Sequence, residues 1–323
     1  MAINFENKLV PIKGDASFRK FYRKKLKKKN SIIVYAEKEK IKNLLNYDAI
    51  NKLFFKKNIN APKLLSENFN QNFIEINDLG KKTIFDFLKK KNVNKLAIYK
   101  KVLIILIKLQ KIKIKKIKNF KKKFYKIPMY SDKLIFNEAN LFLVWYITKI
   151  INKNKKSKVK KKLKKIITSL IKKIQLPNTT FVHRDFHVSN LMINKNKISI
   201  IDSQDAVYGN VAYDLASLID DVRLKTSKNT KEMIYRSYFN LNKKKINKIK
   251  FKNDFEILSV LRNLKIIGIF TRLAIRDKKR KYLKLIPYAW NLIELRLKNN
   301  IIFKDLKNCL DVNFPKKIRL LTK

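Results

Sequence analysis

Three oxygen-bearing side chains fall close together in this sequence: Asp185, Asn190 and Asp202. An Asp carboxylate can orient a hydroxyl and take its proton. An Asn carbonyl oxygen and a second Asp carboxylate are hard ligands of the kind Mg2+ prefers. A bound Mg2+ in turn offsets the charge of phosphate groups. The set therefore suits transfer of a phosphoryl group to a hydroxyl. It stands in FVHRDFHVSNLMINKNKISIID, residues 181–202, with His183 and Arg184 before Asp185 and His187 just after it. Any one of these residues fits an Asp- and Asn-rich turn around a core histidine. All of them at this spacing favour the catalytic reading.

The background sharpens the signal. Lys and Arg total 79 against 24 Asp and Glu, a net charge of +55. Yet residues 181–223 hold six of the fifteen aspartates (Asp185, Asp202, Asp205, Asp214, Asp220 and Asp221) and only four basic residues. Both histidines, His183 and His187, lie in that window. An acidic island in a basic chain suits divalent metal and proton chemistry.

The elements around the island must position it. Thr179–Val182, Leu191–Ile193 and Ile198–Ile201 read as short strands, the last two forming a hairpin that returns Asp202 to Asp185 and Asn190. The first 80 residues read as small α+β. Phe18–Leu26, Ser31–Ala36, Leu64–Leu65 and Phe73–Ile76 are strand candidates, and residues 38–57 have helical spacing. Asn77, Asp78, Leu79 and Gly80 form a turn signal and a candidate hinge. Beyond residue 81 the periodicity is mostly helical, over 83–91, 94–111, 132–152, 155–175, 230–242, 252–276 and 281–298, with Ser131 able to cap the third. The basic runs 111–126 and 153–165 are expected to be solvated loops or helix faces.

The segment HRDFHVSN resembles the catalytic loop of the aminoglycoside phosphotransferase and choline kinase group, relatives of protein kinases, with which it shares H-R-D-x-x-x-x-N. The chain has no G-x-G-x-x-G, V-A-I-K or D-F-G, so a small-molecule kinase fits better than a protein kinase. Within the group it most resembles bacterial anomeric kinases of N-acetylmuramate and N-acetylglucosamine, which serve cell-wall (peptidoglycan) sugar recycling. The resembling segments are GDASFRKFYR (14–23), NDLG (77–80), FVHRDFHVSNLM (181–192), IDSQDAVYGNVAYDLASLIDDVR (201–223) and LRNLKIIGIFTRLAIRDKKRKYLKLIP (261–287). All four glycines, Gly14, Gly80, Gly209 and Gly268, fall inside them.

The resemblance implies an α+β, bilobal protein-kinase-like fold. A small mixed β-sheet lobe, residues 1–80, would bind nucleotide, and a larger, mainly helical lobe, residues 81–323, would carry the catalytic loop and acceptor site. It implies ATP and Mg2+ as cofactors and a small-molecule sugar as partner. Asp185 would be the catalytic base, with Asn190 and Asp202 as metal ligands. Gly14, Asp15, Ala16 and Ser17 would turn over the phosphates, and Asn77, Asp78 and Leu79 would meet adenine. His183, Arg184 and Asp214 would support the site, Asp214 at a helix start. His187, Asp205, Glu138, Arg262 and Arg276 are acceptor-site candidates. Kinase-like folds usually hold the phosphates with a Lys on the third strand, here Ser31–Ala36, which contains none. Arg19, Arg23 or Lys38 could supply that charge.

Composition weighs against other classes. Of the 79 basic residues only 11 are Arg, the residue favoured for phosphate and base contacts, and Lys is spread through every region outside the island. A basic nucleic-acid-binding protein is thus the poorer reading; against a kinase of an amino alcohol or aminoglycoside-like acceptor on the same fold weigh the resembling segments 14–23 and 261–287. The abundance of Lys, Asn, Ile, Phe and Tyr, with few Gly and Pro, follows AT-rich codon usage. The one cysteine, Cys309, excludes an internal disulfide framework. No apolar leader and no run long enough for a membrane span are visible, so a cytoplasmic protein is expected.

Overall fold

The alternation and burial of Ser31–Tyr35 set up the N-terminal sheet. In the computed structural model, which describes residues 9–12, 19–25, 29–242, 245–298 and 300–321, this segment is the central strand of five. The strands are β1 (Leu9–Ile12), β2 (Lys20–Lys24), β3 (Ser31–Tyr35), β4 (Leu64–Asn68) and β5 (Phe73–Asn77). Their order is β1-β2-β3-β5-β4, and every pairing is antiparallel. A central strand has no solvated edge and can be apolar throughout, as Ile32, Ile33 and Val34 are. Pro11 sits on edge strand β1, where its missing N–H does no harm. Helix α1 (Lys42–Lys56) packs Leu44 and Tyr47 onto Ile32, Val34, Ile74 and Ile76. Each such aliphatic side chain is worth about 1.5–3 kcal/mol when fully buried.

By packing, the chain divides into two units. One comprises residues up to Pro128 together with Phe181–Val207; the other comprises Met129–Thr180 and the residues from Tyr208 onward. The first unit also holds α2 (Ile84–Leu88), α3 (Lys95–Gln110) and the hairpin β6 (Lys116–Lys118) and β7 (Phe124–Lys126). Thr83 and Asp86 form a reciprocal capping box at the start of α2. The basic run 111–126 was expected to be a solvated loop or helix face. It instead contains this hairpin, because Ile117 is buried on one side of it and Asn119 accepts from the N–H groups of Lys121 and Lys123 in the turn. The run 153–165 is a helix face.

The chain re-enters the first unit along β8 (Thr180–Val182), forms the hairpin β9 (Leu191–Asn194) and β10 (Lys197–Ile200), and leaves along β11 (Val207–Gly209). The hairpin turn places Lys195 and Asn196 at positive φ, the geometry that matches strand twist. The hairpin is fastened at Ile193 N–H to Lys82 O (2.9 Å) and at Ile200 N–H to Asn60 O (2.9 Å).

The second unit is built on α4 (Asp132–Leu141), α5 (Ile147–Ile150), α6 (Lys153–Lys172), α7 (Tyr213–Ile219), α8 (Lys228–Leu241), α9 (Lys248–Ile275), α10 (Ile286–Leu297), α11 (Lys304–Asn313) and α12 (Lys316–Arg319). Ser131 caps α4, and a π-helical turn, Phe142–Tyr146, joins α4 to α5. Helix α9 is the centre of the unit, buried on nearly all sides from Phe251 to Ala274. Asp220 is fully buried beside Arg296 (2.9 Å) and Lys231 (3.2 Å). Burial alone would raise its carboxyl, but these two cations outweigh that and hold it below the usual range.

Gly268 explains how α9 lies so close to its neighbour. A Cβ there would come within 2.3 Å of the Leu141 carbonyl carbon and 2.5 Å of Phe142 N. Both are backbone atoms beside the π-helical turn and cannot rotate away. Gly268→Ala is therefore expected to destabilise the protein by about 1–3 kcal/mol or more through overpacking. Helix propensity alone would predict the opposite sign. A denaturant titration of the two proteins checks this.

Candidate active site

Residues 181–207 of the acidic island lie in the first unit and bring Asp185, Asn190 and Asp202 towards one another, whereas Asp214, Asp220 and Asp221 belong to the second unit. The hairpin register pairs Ile200 with Leu191, so the next residues outward, Ile201 and Asn190, also meet: Ile201 N–H donates to Asn190 O at 3.0 Å. This carries Asp202 to the end where Asn190 sits. Asp185 is tied to the same end, because Asn190 Nδ2 donates to its backbone carbonyl at 3.0 Å and His187 N–H donates to it at 3.0 Å.

Two of these residues have unusual backbones. Arg184 (φ 74°) and Asp202 (φ 65°) lie in the left-handed region, which non-glycine residues adopt only when their surroundings enforce it. Arg184 Nη1 donates to Asp205 O at 3.1 Å, spanning the loop. His183 is fully buried, with Nε2 3.1 Å from Ile201 O. Burial lowers its pKa, and the Asp185, Asp202 and Asp205 carboxylates oppose that shift. His187 is buried too, with Nε2 3.4 Å from Asn190 Nδ2, beside the loop amide that holds Asp185.

Support comes from α1. Asn51 Oδ1 accepts from Ser203 Oγ at 2.8 Å, and Phe54 meets Phe181 edge-on at 5.7 Å. Both sides of the catalytic segment thus rest on one helix. Neither Asn51 nor Ser203 stands out in the sequence. Gln204 was visible only as part of a motif. Its Nε2 donates to Asp202 Oδ1 (3.2 Å) and to Asp205 Oδ2 (2.8 Å), so one amide holds two carboxylates. Arg19 also donates to Asp202 Oδ1.

Asn190 has Nδ2 committed to the loop, which leaves Oδ1 as the end suited to a hard cation. Among the described residues, both side-chain contacts of Asp202 fall on Oδ1. Its side chain is 35 % exposed. One amide oxygen and one partly open carboxylate fit Mg2+, which takes few protein ligands beside waters and phosphate oxygens. Among the described residues, no cluster of three or more His, Cys, Asp or Glu is placed to hold a metal.

Other expected residues are placed as follows. Gly14, Asp15, Ala16 and Ser17 lie outside the described residues. Asn77 ends β5, and its Oδ1 accepts from Lys63 N–H. Asp78 is bound to Arg23 Nε (2.6 Å) and Gly80 N–H (2.8 Å), so its side chain shapes the turn. Gly80, at φ 97°, permits that turn. Glu138, Asp214, Arg262 and Arg276 belong to the second unit. The Glu138 carboxylate is buried against Lys265 (2.9 Å) and Tyr130 OH. Asp214 lies in the first turn of α7; the position just before that helix is Ala212, which makes no side-chain cap. Arg262 is buried within α9, whereas Arg276 is exposed at its end and pairs with Asp277 (2.7 Å). At 1.5 Å rise per residue those two arginines are about 20 Å apart along the helix, so they do not form one cluster. A groove of about 690 Å3 in the first unit, bordered by Asn51, Lys52, Lys63, Lys118 and Phe124 among others, contains none of the candidate residues.

No helix among the described residues is long and apolar enough to cross a membrane. Residues 8–245 match the phosphotransferase enzyme family. The chain is 27% identical over 287 residues to the N-acetylmuramate/N-acetylglucosamine kinase of Neisseria meningitidis serogroup B, covering 87% of this chain and 83% of that one. It is 26% identical over 293 residues to the enzyme of the same name from Pseudomonas aeruginosa, covering 88% and 82%. An ADP-bound aminoglycoside phosphotransferase superposes with a TM-score of 0.59 at 13% identity, covering 89% of this chain and 92% of that one, which is a likeness of fold. The match over residues 8–245, which includes the whole HRDFHVSN loop and its hairpin, means that the chain belongs to the phosphotransferase enzyme family and has its kinase-like fold.

Proposed function

We propose that this phosphotransferase moves the γ-phosphoryl group of ATP to the anomeric oxygen of N-acetylmuramate or N-acetylglucosamine. The observation that carries the reading is the meeting of Asn190 with Ile201, which gathers Asp185, Asn190 and Asp202 at one end of a hairpin. The names of the two relatives support the acceptor class, and the ADP-bound structural neighbour supports an adenine nucleotide.

In this mechanism Asp185 accepts the proton of the sugar's anomeric hydroxyl. The anomeric oxygen forms a bond to the γ-phosphorus as the bond from that phosphorus to the ADP oxygen breaks, and the hydroxyl proton passes to Asp185 during that transfer. An anomeric hydroxyl is more acidic than an ordinary alcohol, so a carboxylate suffices and the proton moves late. Asn190 and Asp202 would hold Mg2+, which would supply charge neutralisation on the phosphates. His183 keeps the loop in place through Ile201, and Arg184 does so through Asp205. Asp205 and His187 are the acceptor-binding candidates that lie in the first unit. Residues 1–80 are proposed as the nucleotide-binding lobe and 81–323 as the lobe with catalytic loop and acceptor site. That division is functional and differs from the packing units.

A panel of acceptors with ATP and Mg2+, read by ADP release, tests the proposal. N-acetylmuramate and N-acetylglucosamine should each drive ADP release, and choline, ethanolamine and kanamycin should not. Turnover with an amino alcohol and none with the amino sugars contradicts the acceptor assignment.

A further inference from the structure

Strand β3 reads Ser-Ile-Ile-Val-Tyr and brings no cation to the phosphates, although protein kinases carry a Lys there. Among the basic residues that could substitute, two are otherwise placed. Arg23 is bound to Asp78 and to Gly80 O (3.2 Å). Lys38 is exposed in a short 3-10 turn.

Arg19 differs from both. It directly precedes β2, whose Lys20 is paired with Tyr35, so it stands beside the far end of β3 on the neighbouring strand. Its side chain is only 3 % exposed. The guanidinium lies over the rings of Phe21 (5.5 Å) and Tyr47 (5.2 Å) and donates to Asp202 Oδ1. A buried cation needs a compensating anion. Here that anion is the carboxylate read as a metal ligand, and it is partly open to solvent while the arginine is not. Two rings and one carboxylate fix the guanidinium at the edge of that opening. A guanidinium has five N–H donors in a planar fork, so it can bridge a carboxylate and a phosphate at once. Tyr47 is pushed up to about 12, by burial first, and stays a neutral ring beneath the cation.

We propose that Arg19 takes the place of the missing β3 lysine: it pairs with Asp202 when nucleotide is absent and bridges Asp202 to the nucleotide's phosphate oxygens when nucleotide is bound. This rests on reading the chain as an ATP-using phosphotransferase. Arg19 then contributes to binding of phosphorylated nucleotides and not to binding of adenosine. Removing a charge-assisted hydrogen bond of this kind weakens binding about ten- to a hundredfold.

The test is calorimetric titration of ADP with Mg2+, and of adenosine, into the wild type, Arg19→Met and Arg19→Lys, with a thermal melt of each protein. Arg19→Met should weaken ADP about ten- to a hundredfold and leave adenosine unchanged, and Arg19→Lys should fall between. If Arg19→Met does not fold, Arg19→Lys decides: weaker ADP with unchanged adenosine supports the proposal, and unchanged ADP overturns it. Equal ADP affinity in the wild type and Arg19→Met overturns the role of Arg19 and leaves the kinase reading intact. Parallel loss of ADP and adenosine makes Arg19 a scaffold and also overturns the proposal. A wild type that binds neither ligand removes the kinase reading and the proposal together.

Discussion

Replacing Asp185 by Asn is expected to lower turnover by about 10²- to 10⁴-fold, the usual contribution of a positioned acid or base. The substitution keeps the side chain's size and removes its negative charge and its capacity to take a proton. The loop is held through the backbone carbonyl of Asp185, which accepts from Asn190 Nδ2 and His187 N–H, and Asn at position 185 leaves that carbonyl in place. Nucleotide affinity should therefore change little, because the Asp185 side chain is assigned to the acceptor hydroxyl and the loop backbone is kept. Steady-state kinetics beside a nucleotide titration separate the two effects. Near-normal turnover in Asp185→Asn would remove the proposed base.

Asp202→Ala is expected to act on a different step. It removes one proposed Mg2+ ligand and also a carboxylate partner of the buried Arg19. Turnover should fall about 10²- to 10⁴-fold, the equivalent of several kcal/mol of charge stabilisation on the phosphates. Binding of nucleotide should also lose its dependence on Mg2+ concentration. Asp185→Asn should keep that dependence, and the contrast distinguishes base from ligand. Titrating nucleotide at several Mg2+ concentrations measures it. An Asp202→Ala protein whose nucleotide affinity still rises steeply with Mg2+ would place the metal elsewhere.

Much of the site is legible in the sequence because it resists the composition around it. Asp185, Asn190, Asp202 and both histidines stand in an acidic window of a chain with net charge +55. Their spacing encodes a hairpin, and the structure contains that hairpin. Arg19 was harder to single out. One more basic residue is invisible against 79, and its partner lies 183 positions away. The pairing of Glu138 with Lys265 hides for the same reason: the sequence offers a carboxylate for a substrate, and the fold has given it to a lysine.

Long apolar periodicity in the sequence marks a helix, as in α3, α6 and α9. The hairpin of β6 and β7 is hidden in the sequence because alternating Lys and Ile over a few residues looks solvated until Ile117 finds its place in the core. Strand β1 carries only four residues, one of them Pro11, and gives no periodic signal. Gly268 was conspicuous by rarity, but the reason for it is an approach to Leu141 and Phe142 that only tertiary structure reveals.

The central claim is that phosphate arrives on the anomeric oxygen of an N-acetylated amino sugar. The most direct measurement is ADP release with free N-acetylglucosamine and with its methyl glycoside, followed by 31P NMR of the product. The free sugar should be consumed and give a phosphate coupled to the anomeric proton, and the methyl glycoside, whose anomeric oxygen is blocked, should be inert. Equal rates with the two sugars, or a product phosphorylated on another ring oxygen, would contradict the account.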